Sequence, residues 1–348
     1  MSEVACAPGG AGGPGERSFA LARIRASIDD FEVEEIALYP PVGIGEHTFL
    51  WVEKRNRTTA EVAVEIAAWA HVAAREVGFA GRKDRRAITR QWFSVPGVDP
   101  PDAIDREFDG WQILDAQRHR HKLRTGQLVG NRFRVVVRDV GATVHDVSRR
   151  AVELTERGMM NRFGRQRFGR DGDNAAQGAA ILRGERVRGS KRHRRFLVSA
   201  LQSAVFNEVL EKRPAAYYEL LCGDVAVVHS SGGQFLVEDL ALESRRAALF
   251  EISATGPIFG KKMKRPGGAV ADFEEHVLED WGVERSADLA ATGLRFFGTR
   301  RAFRVRPSGL ELRWDGDRVE LHFELPAGSY ATVLIEDLLQ EAVEEGAP

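Results

Sequence analysis

The chain has 348 residues, of which 43% are hydrophobic and 29% charged, and its formal net charge is −1. This is the make-up of a globular protein long enough for two domains, and no apolar run approaches transmembrane length, which argues against a membrane protein. The N-terminus lacks an apolar signal core, so a cytoplasmic protein is expected, and two distant cysteines, Cys6 and Cys222, exclude a disulfide scaffold and a thiolate zinc site.

Residues 1 to about 17 are rich in Gly, Ala and Pro and read as disordered. Gly10, Gly12 and Gly15 spell a dinucleotide-binding pattern, but no strand precedes it and Pro14 interrupts it. Phe49 to Val52 reads as a strand, broken at Arg55-Asn56-Arg57. A helix should start at Thr58, which forms a capping box with Glu61. Val62, Ile66, Trp69 and Ala73 follow at helical spacing, and Gly78 is the expected stop. This helix feeds the segment Gly78 to Val95, GFAGRKDRRAITRQWFSV. One carboxylate, Asp84, stands there among Arg82, Lys83, Arg85, Arg86 and Arg90. Nearby cations favour the ionised form of an acid, and the same cations attract a polyanion. Residues 91–95 read as a short strand beyond the loop.

Further on, RHRHKLR carries Arg118, Arg120, Lys122 and Arg124, and its His119 and His121 lack acidic or Cys companions, so no metal site is expected. In Arg132 to Arg138, Phe133, Val135 and Val137 alternate with Arg132, Arg134 and Arg138, as in a strand with one wet face. Helical patterns cover 146–157, 195–212 and 332–343. Eleven Lys or Arg, including Lys191 and Arg192, lie between Asn161 and Arg195. Leu310–Trp314 and Arg318–Leu325 form a hairpin about Asp315-Gly316. The tail after Val333 carries only acids. The near-zero net charge therefore hides local basic faces that could hold RNA.

The Asp84 segment closely resembles the signature of the TruD family of tRNA pseudouridine synthases. Further boxes follow in the family's order: Asp30-Phe31 with Val33 and Glu35; NRFGRQRFG at 161–169 with Gly172, Asn174 and Gly178; Ser199, Ala200, Ser203, Phe206 and Asn207; Gly256-Pro257 with Gly260, read as a turn; and LPAGSYAT at 325–332. The resemblance implies an α+β fold. A pseudouridine-synthase catalytic domain, with a mixed, largely antiparallel sheet flanked by helices, would be interrupted by a smaller α/β insertion. The expected division is 18–187 and 298–348 for the catalytic domain and 188–297 for the insertion.

It also implies tRNA as partner, uridine 13 as target and Asp84 as the catalytic carboxylate. Asp84 would attack C1′ of the ribose or take a proton from C2′, and either role needs an ionised oxygen at close range. The isomerisation is redox-neutral, so no cofactor or metal is expected, and a monomer is the working expectation. From the residues alone Phe31 and Phe163 read as core. The resemblance instead places Phe31, Tyr330 and Phe163 against the bound nucleotide, with Phe163 stacking on the target base. Asn161 would bond the base or brace the Asp84 loop, and Arg25 could pair with Asp84. Arg82, Lys83, Arg118, Arg120, Lys122, Arg124, Arg132, Arg134, Lys191 and Arg192 are the candidate RNA contacts. Two rivals carry different chemistry. A non-catalytic RNA-binding protein would not need Asp84, and a glycosidase would pair Asp84 with a second carboxylate such as Glu35.

Overall fold

The computed structural model describes residues 21–169, 171–283, 293–294 and 296–345. The tail 1–17 lies outside the described residues, and so does part of the segment 188–297. An eleven-stranded sheet forms the frame. Its main path runs Ser308–Asp315, Arg318–Pro326, Leu128–Arg138, Phe31–Ala37, Ile88–Pro96, His47–Arg55, Trp111–His119 and Glu107–Phe108. Along this path only the Phe31–Ala37 and Ile88–Pro96 pair is parallel.

Strand periodicity assigns the two faces. Phe31, Val33, Phe133, Val135, Val137, Val319, Leu321 and Phe323 point one way and pack under the helices Val144–Arg157 and Ala331–Leu339. Farther along the same face Leu50, Val52, Phe93 and Val95 pack under the helix Thr59–Trp69. The opposite face is wet and laddered with ion pairs. There Arg132 bridges Glu34 and Glu324, and Arg134 bridges Glu32 and Glu320.

A second, antiparallel sheet of Gln234–Leu236, Val225–Val228, Ile252–Ile258 and Thr299–Ala302 packs on the long helix Lys191–Lys212. Its core joins Leu201, Val205, Phe206 and Val209 of that helix to Ala226, Ile252, Ala254 and Phe303. Gly256 and Pro257 lie inside the strand Ile252–Ile258, opposite Arg301 and Arg300, and not in a turn. A Cβ on Gly256 would stand 2.5 Å from the Phe303 ring, so close packing of Phe206 and Phe303 accounts for the glycine.

The first helix starts as expected. The Thr58 hydroxyl accepts from the Glu61 N–H, and the Glu61 carboxylate accepts from the Thr58 N–H. It ends nine residues before Gly78, at Trp69. His71 takes φ +54, and Val72 N–H returns to the Ala67 carbonyl at 2.9 Å. That is a Schellman closure with histidine in the usual glycine position. Gly78 has another reason to be glycine, since a Cβ there would sit 2.2 Å from the Leu123 carbonyl oxygen. The C-terminal helix is likewise shorter than its pattern. It stops at Leu339, with Gln340 at φ +55, and Val343–Glu345 becomes a strand parallel to Ala22–Ile24. Among the described residues no helix is long and apolar enough to cross a membrane.

Candidate active site

Between the two helical layers the sheet face opens over Phe31, Val33, Asn131 and Phe133. A pocket there is closed by Arg25, the loop 82–84, Gln166 and residues 328–332. Asp84 looks into it with its side chain 40% exposed.

The loop is strapped down from below. Lys54, fully buried on its strand, donates to the Asp84 carbonyl at 2.8 Å and the Arg57 carbonyl at 2.6 Å. Burial lowers its pKa to about 8, while the Asp84 charge pushes the other way. Gln91 donates to the Gly81 carbonyl at 3.0 Å, and Thr59, the first residue of its helix, donates to Gln91 and accepts from the Lys83 N–H. Lys83, expected on RNA, instead turns inward and its ammonium sits 2.8 Å from Glu35 Oε2. That pair is buried on both sides, so Lys83 serves as an internal strut. Burial drives the Glu35 carboxyl up, opposed by Lys83. A carboxylate engaged in this way does not serve as a second acid or base beside Asp84, which removes Glu35 from a glycosidase arrangement.

Arg25 is nearly buried and holds φ +56. Its guanidinium meets Asp84 Oδ2 at 2.6 Å and Glu345 Oε1 at 2.5 Å, and it lies 4.1 Å over the Phe31 ring. The expected Arg25–Asp84 contact is thus present in the structure, and the acidic tail supplies a second carboxylate that the sequence pattern did not assign. Tyr330 lines the same pocket and sets its ring 6.1 Å from that of Phe163. Gly164 makes room for this approach, since a Cβ there would stand 3.1 Å from the Tyr330 ring.

Phe163 lines the neighbouring cavity, one ring away from the Asp84 pocket. Asn207 of the long helix grips its backbone twice, accepting from Phe163 N–H at 2.8 Å and donating to Phe163 O at 2.9 Å. Asn161 is buried, with its amide engaged by Arg301 and by the Ala302 carbonyl. It therefore braces the strand Thr299–Ala302 and not the Asp84 loop.

Sequence patterning missed Arg301. Its guanidinium stacks 4.2 Å over Phe163 and donates to the Asn161 and Gly328 carbonyls at 3.0 and 2.9 Å. Burial lowers its pKa to about 10. The only signal was an Arg-Arg pair on a short strand, which reads as surface.

The candidate RNA contacts separate into two groups. Arg82, Arg120, Arg124, Lys191 and Arg192 are exposed. Arg118 pairs with Asp99, Lys122 donates to the Arg75 carbonyl, and Arg132 and Arg134 sit in the carboxylate ladder on the far face of the sheet. His119 is a core residue, stacked on Tyr39 at 5.2 Å and tilted against Phe49 at 4.4 Å, and burial lowers its pKa.

Comparison with known proteins shows the family and the fold. The family model described as tRNA pseudouridine synthase D (TruD) matches residues 19–190 and 189–338. A tRNA pseudouridine synthase D of Thermus thermophilus is 39% identical over 320 residues, covering 91% of this chain and 88% of the relative. One from Anaeromyxobacter dehalogenans is 40% identical over 330 residues, covering 92% and 94%. The crystal structure of a TruD protein from Methanosarcina mazei shares the fold at a TM-score of 0.76, with 20% identity and 93% and 95% of the two chains covered. The chain belongs to the TruD family of tRNA pseudouridine synthases, which are isomerases.

Proposed function

We propose that this protein converts uridine to pseudouridine in tRNA at Asp84, and that the target is uridine 13. The observation that carries the reading is the Asp84 carboxylate, held at 2.6 Å by a nearly buried guanidinium at the mouth of an aromatic-walled pocket. The loop around it is fixed by buried donors, which suits a group that must meet a sugar carbon in one geometry.

In the reaction the C1′–N1 bond breaks with its electron pair passing to uracil N1. The base turns, C5 bonds to C1′, the C5 proton is lost, and N1 takes up a proton. Asp84 acts on the sugar at C1′ or C2′, and Arg25 holds it in place. The extruded base leaves its stack and needs a ring to lie on, a role that suits Phe163. Stacking of this kind contributes about 1–3 kcal/mol per base. Residues 188–297 would be the inserted unit, serving as an RNA clamp and supplying Asn207 to position Phe163.

The test is nucleoside analysis and position mapping of tRNA from cells with and without the protein, repeated with Asp84→Asn. Loss of pseudouridine at position 13 alone, not restored by Asp84→Asn, is expected. Residual turnover within about tenfold of wild type, some 1.4 kcal/mol of barrier, would sink the assignment of Asp84.

A further inference from the structure

The cavity beside the Asp84 pocket has a chemistry of its own. It is lined by Phe163, Arg167, Ser199, Gln202, Ser203, Ile258, Thr299, Arg300 and Arg301, with no carboxylate among them. Arg300 is matched from behind, buried against Glu274 at 2.6 Å. Among the described residues Arg301 bonds backbone carbonyls and the Asn161 amide oxygen. Arg167 bonds two hydroxyls of the long helix, Ser203 at 3.3 Å and Ser199. Neither Arg167 nor Arg301 makes an ion pair among the described residues, whereas most arginines of the ladder face are paired. Two guanidiniums facing one cavity without a counter-charge repel each other. An anion between them reverses that sign.

The hydroxyls sharpen the choice of anion. Ser203 donates to the Ser199 carbonyl at 2.9 Å, so its oxygen can only accept from Arg167. The helix thereby fixes the Arg167 fork, and guanidinium forks match phosphate oxygens. Phe163 at the cavity wall places the anion next to a base-stacking ring.

We infer that this cavity is a phosphodiester subsite, in which Arg167 and Arg301, with Ser199 and Thr299 at the wall, take a backbone phosphate adjoining the target uridine. The inference rests on the reading that the uridine enters the Asp84 pocket with its base on Phe163. Holding the neighbouring phosphate would keep the extruded nucleotide from returning to its stack.

The test uses tRNA carrying one uncharged methylphosphonate at each phosphodiester on either side of the target uridine. Binding is measured to the full-length protein in an Asp84→Asn background, so that chemistry does not intervene. One neutralised position should weaken binding to the parent protein about tenfold. Arg167→Met should show a smaller methylphosphonate penalty, since only Arg301 then faces the phosphate, and its salt slope should be lower by about 0.7–0.9. Arg167→Lys should keep most of the slope and lose part of the affinity.

Indifference of the parent protein to every flanking neutralisation overturns the proposal, and this arm needs no folded variant. An undiminished methylphosphonate penalty in Arg167→Met overturns it as well. Displacement of tRNA by millimolar UMP, abolished in Arg167→Met, would make the cavity a free-nucleotide site and likewise refute it. The catalytic reading fails separately: if Asp84→Asn converts uridine at the normal rate, that reading falls whatever the phosphate data show.

Discussion

The proposed role of Asp84 needs a loop that holds still, and Lys54 is central to that. The buried ammonium ties two carbonyls that would otherwise be orphaned, each at a cost of about 1–3 kcal/mol. Lys54→Met should therefore lower the thermal midpoint and the turnover number together, read by calorimetry and single-turnover kinetics. The Asp84 charge props up a Lys54 pKa that burial has brought to about 8. Asp84→Asn should lower it further, as read by NMR titration of protein labelled with ε-13C lysine. A pKa that stays or rises would mean the carboxylate does not act on Lys54. Because the folded value lies below the unfolded one, this group makes stability rise with pH between about 8 and 10.5. Phe163 invites a different substitution pair. Phe163→Ala should reduce turnover far more than tRNA affinity, since one base is a small part of a large interface, and Phe163→Tyr should retain much of the rate. Equal losses in kcat and affinity, or an unfolded Phe163→Ala, would return Phe163 to a purely structural role. Neither Lys54 nor Arg301 could be found from the sequence, because a buried cation is spelled with the same letter as a surface one.

Between elements, the contact that sets the segment around Phe163 against the C-terminal helix is Arg162–Asp337 at 2.5 Å. Burial raises the Asp337 pKa from 3.8 to about 6, only partly offset by Arg162. The folded state then holds a proton that the unfolded chain has released. The associated stability is full below about 3.8 and is lost as pH rises through about 6, about 3 kcal/mol at most. Urea titrations from pH 3.5 to 7 should show this fall in the parent and a flatter profile in Asp337→Asn. Identical profiles would count against the assignment. The elements that carry this contact were only partly legible. The hairpin 308–326, the strand through Arg132–Arg138 and the Thr58 cap followed from alternation and capping chemistry, which are local. The end of the first helix was not legible, because His71 adopts the left-handed turn without a glycine. Nor was the strand Val343–Glu345, whose partner Ala22–Ile24 lies at the other end of the chain. The pairing that brings Arg25 to Asp84 was expected from resemblance, whereas the sharing of Arg25 with Glu345 needed the assembled sheet.

Across the whole molecule the near-zero net charge is divided very unevenly. Arg132 and Arg134 each carry two glutamates already, so binding a phosphate there would mean breaking existing ion pairs. The run at 191–195 is the reverse case. This basic run opens the helix Lys191–Lys212, which is capped by Ser190 and has no acidic residue in its first turn. Helix N-termini carry partial positive charge and favour anions, so stacking Lys191, Arg192, Arg194 and Arg195 there costs helix stability. An RNA backbone turns that cost into attraction. Replacing the four with Ser should weaken tRNA binding, flatten its salt dependence by somewhat under one unit per lost phosphate contact, and leave the thermal midpoint equal or higher. Arg132→Gln with Arg134→Gln should leave the salt slope almost unchanged. Filter binding across a salt series, with melting curves for each variant, reads all of these outcomes. If the ladder pair moves the slope and the helix quadruple does not, the RNA lies on the far face of the sheet, and residues 188–297 are not the proposed RNA clamp.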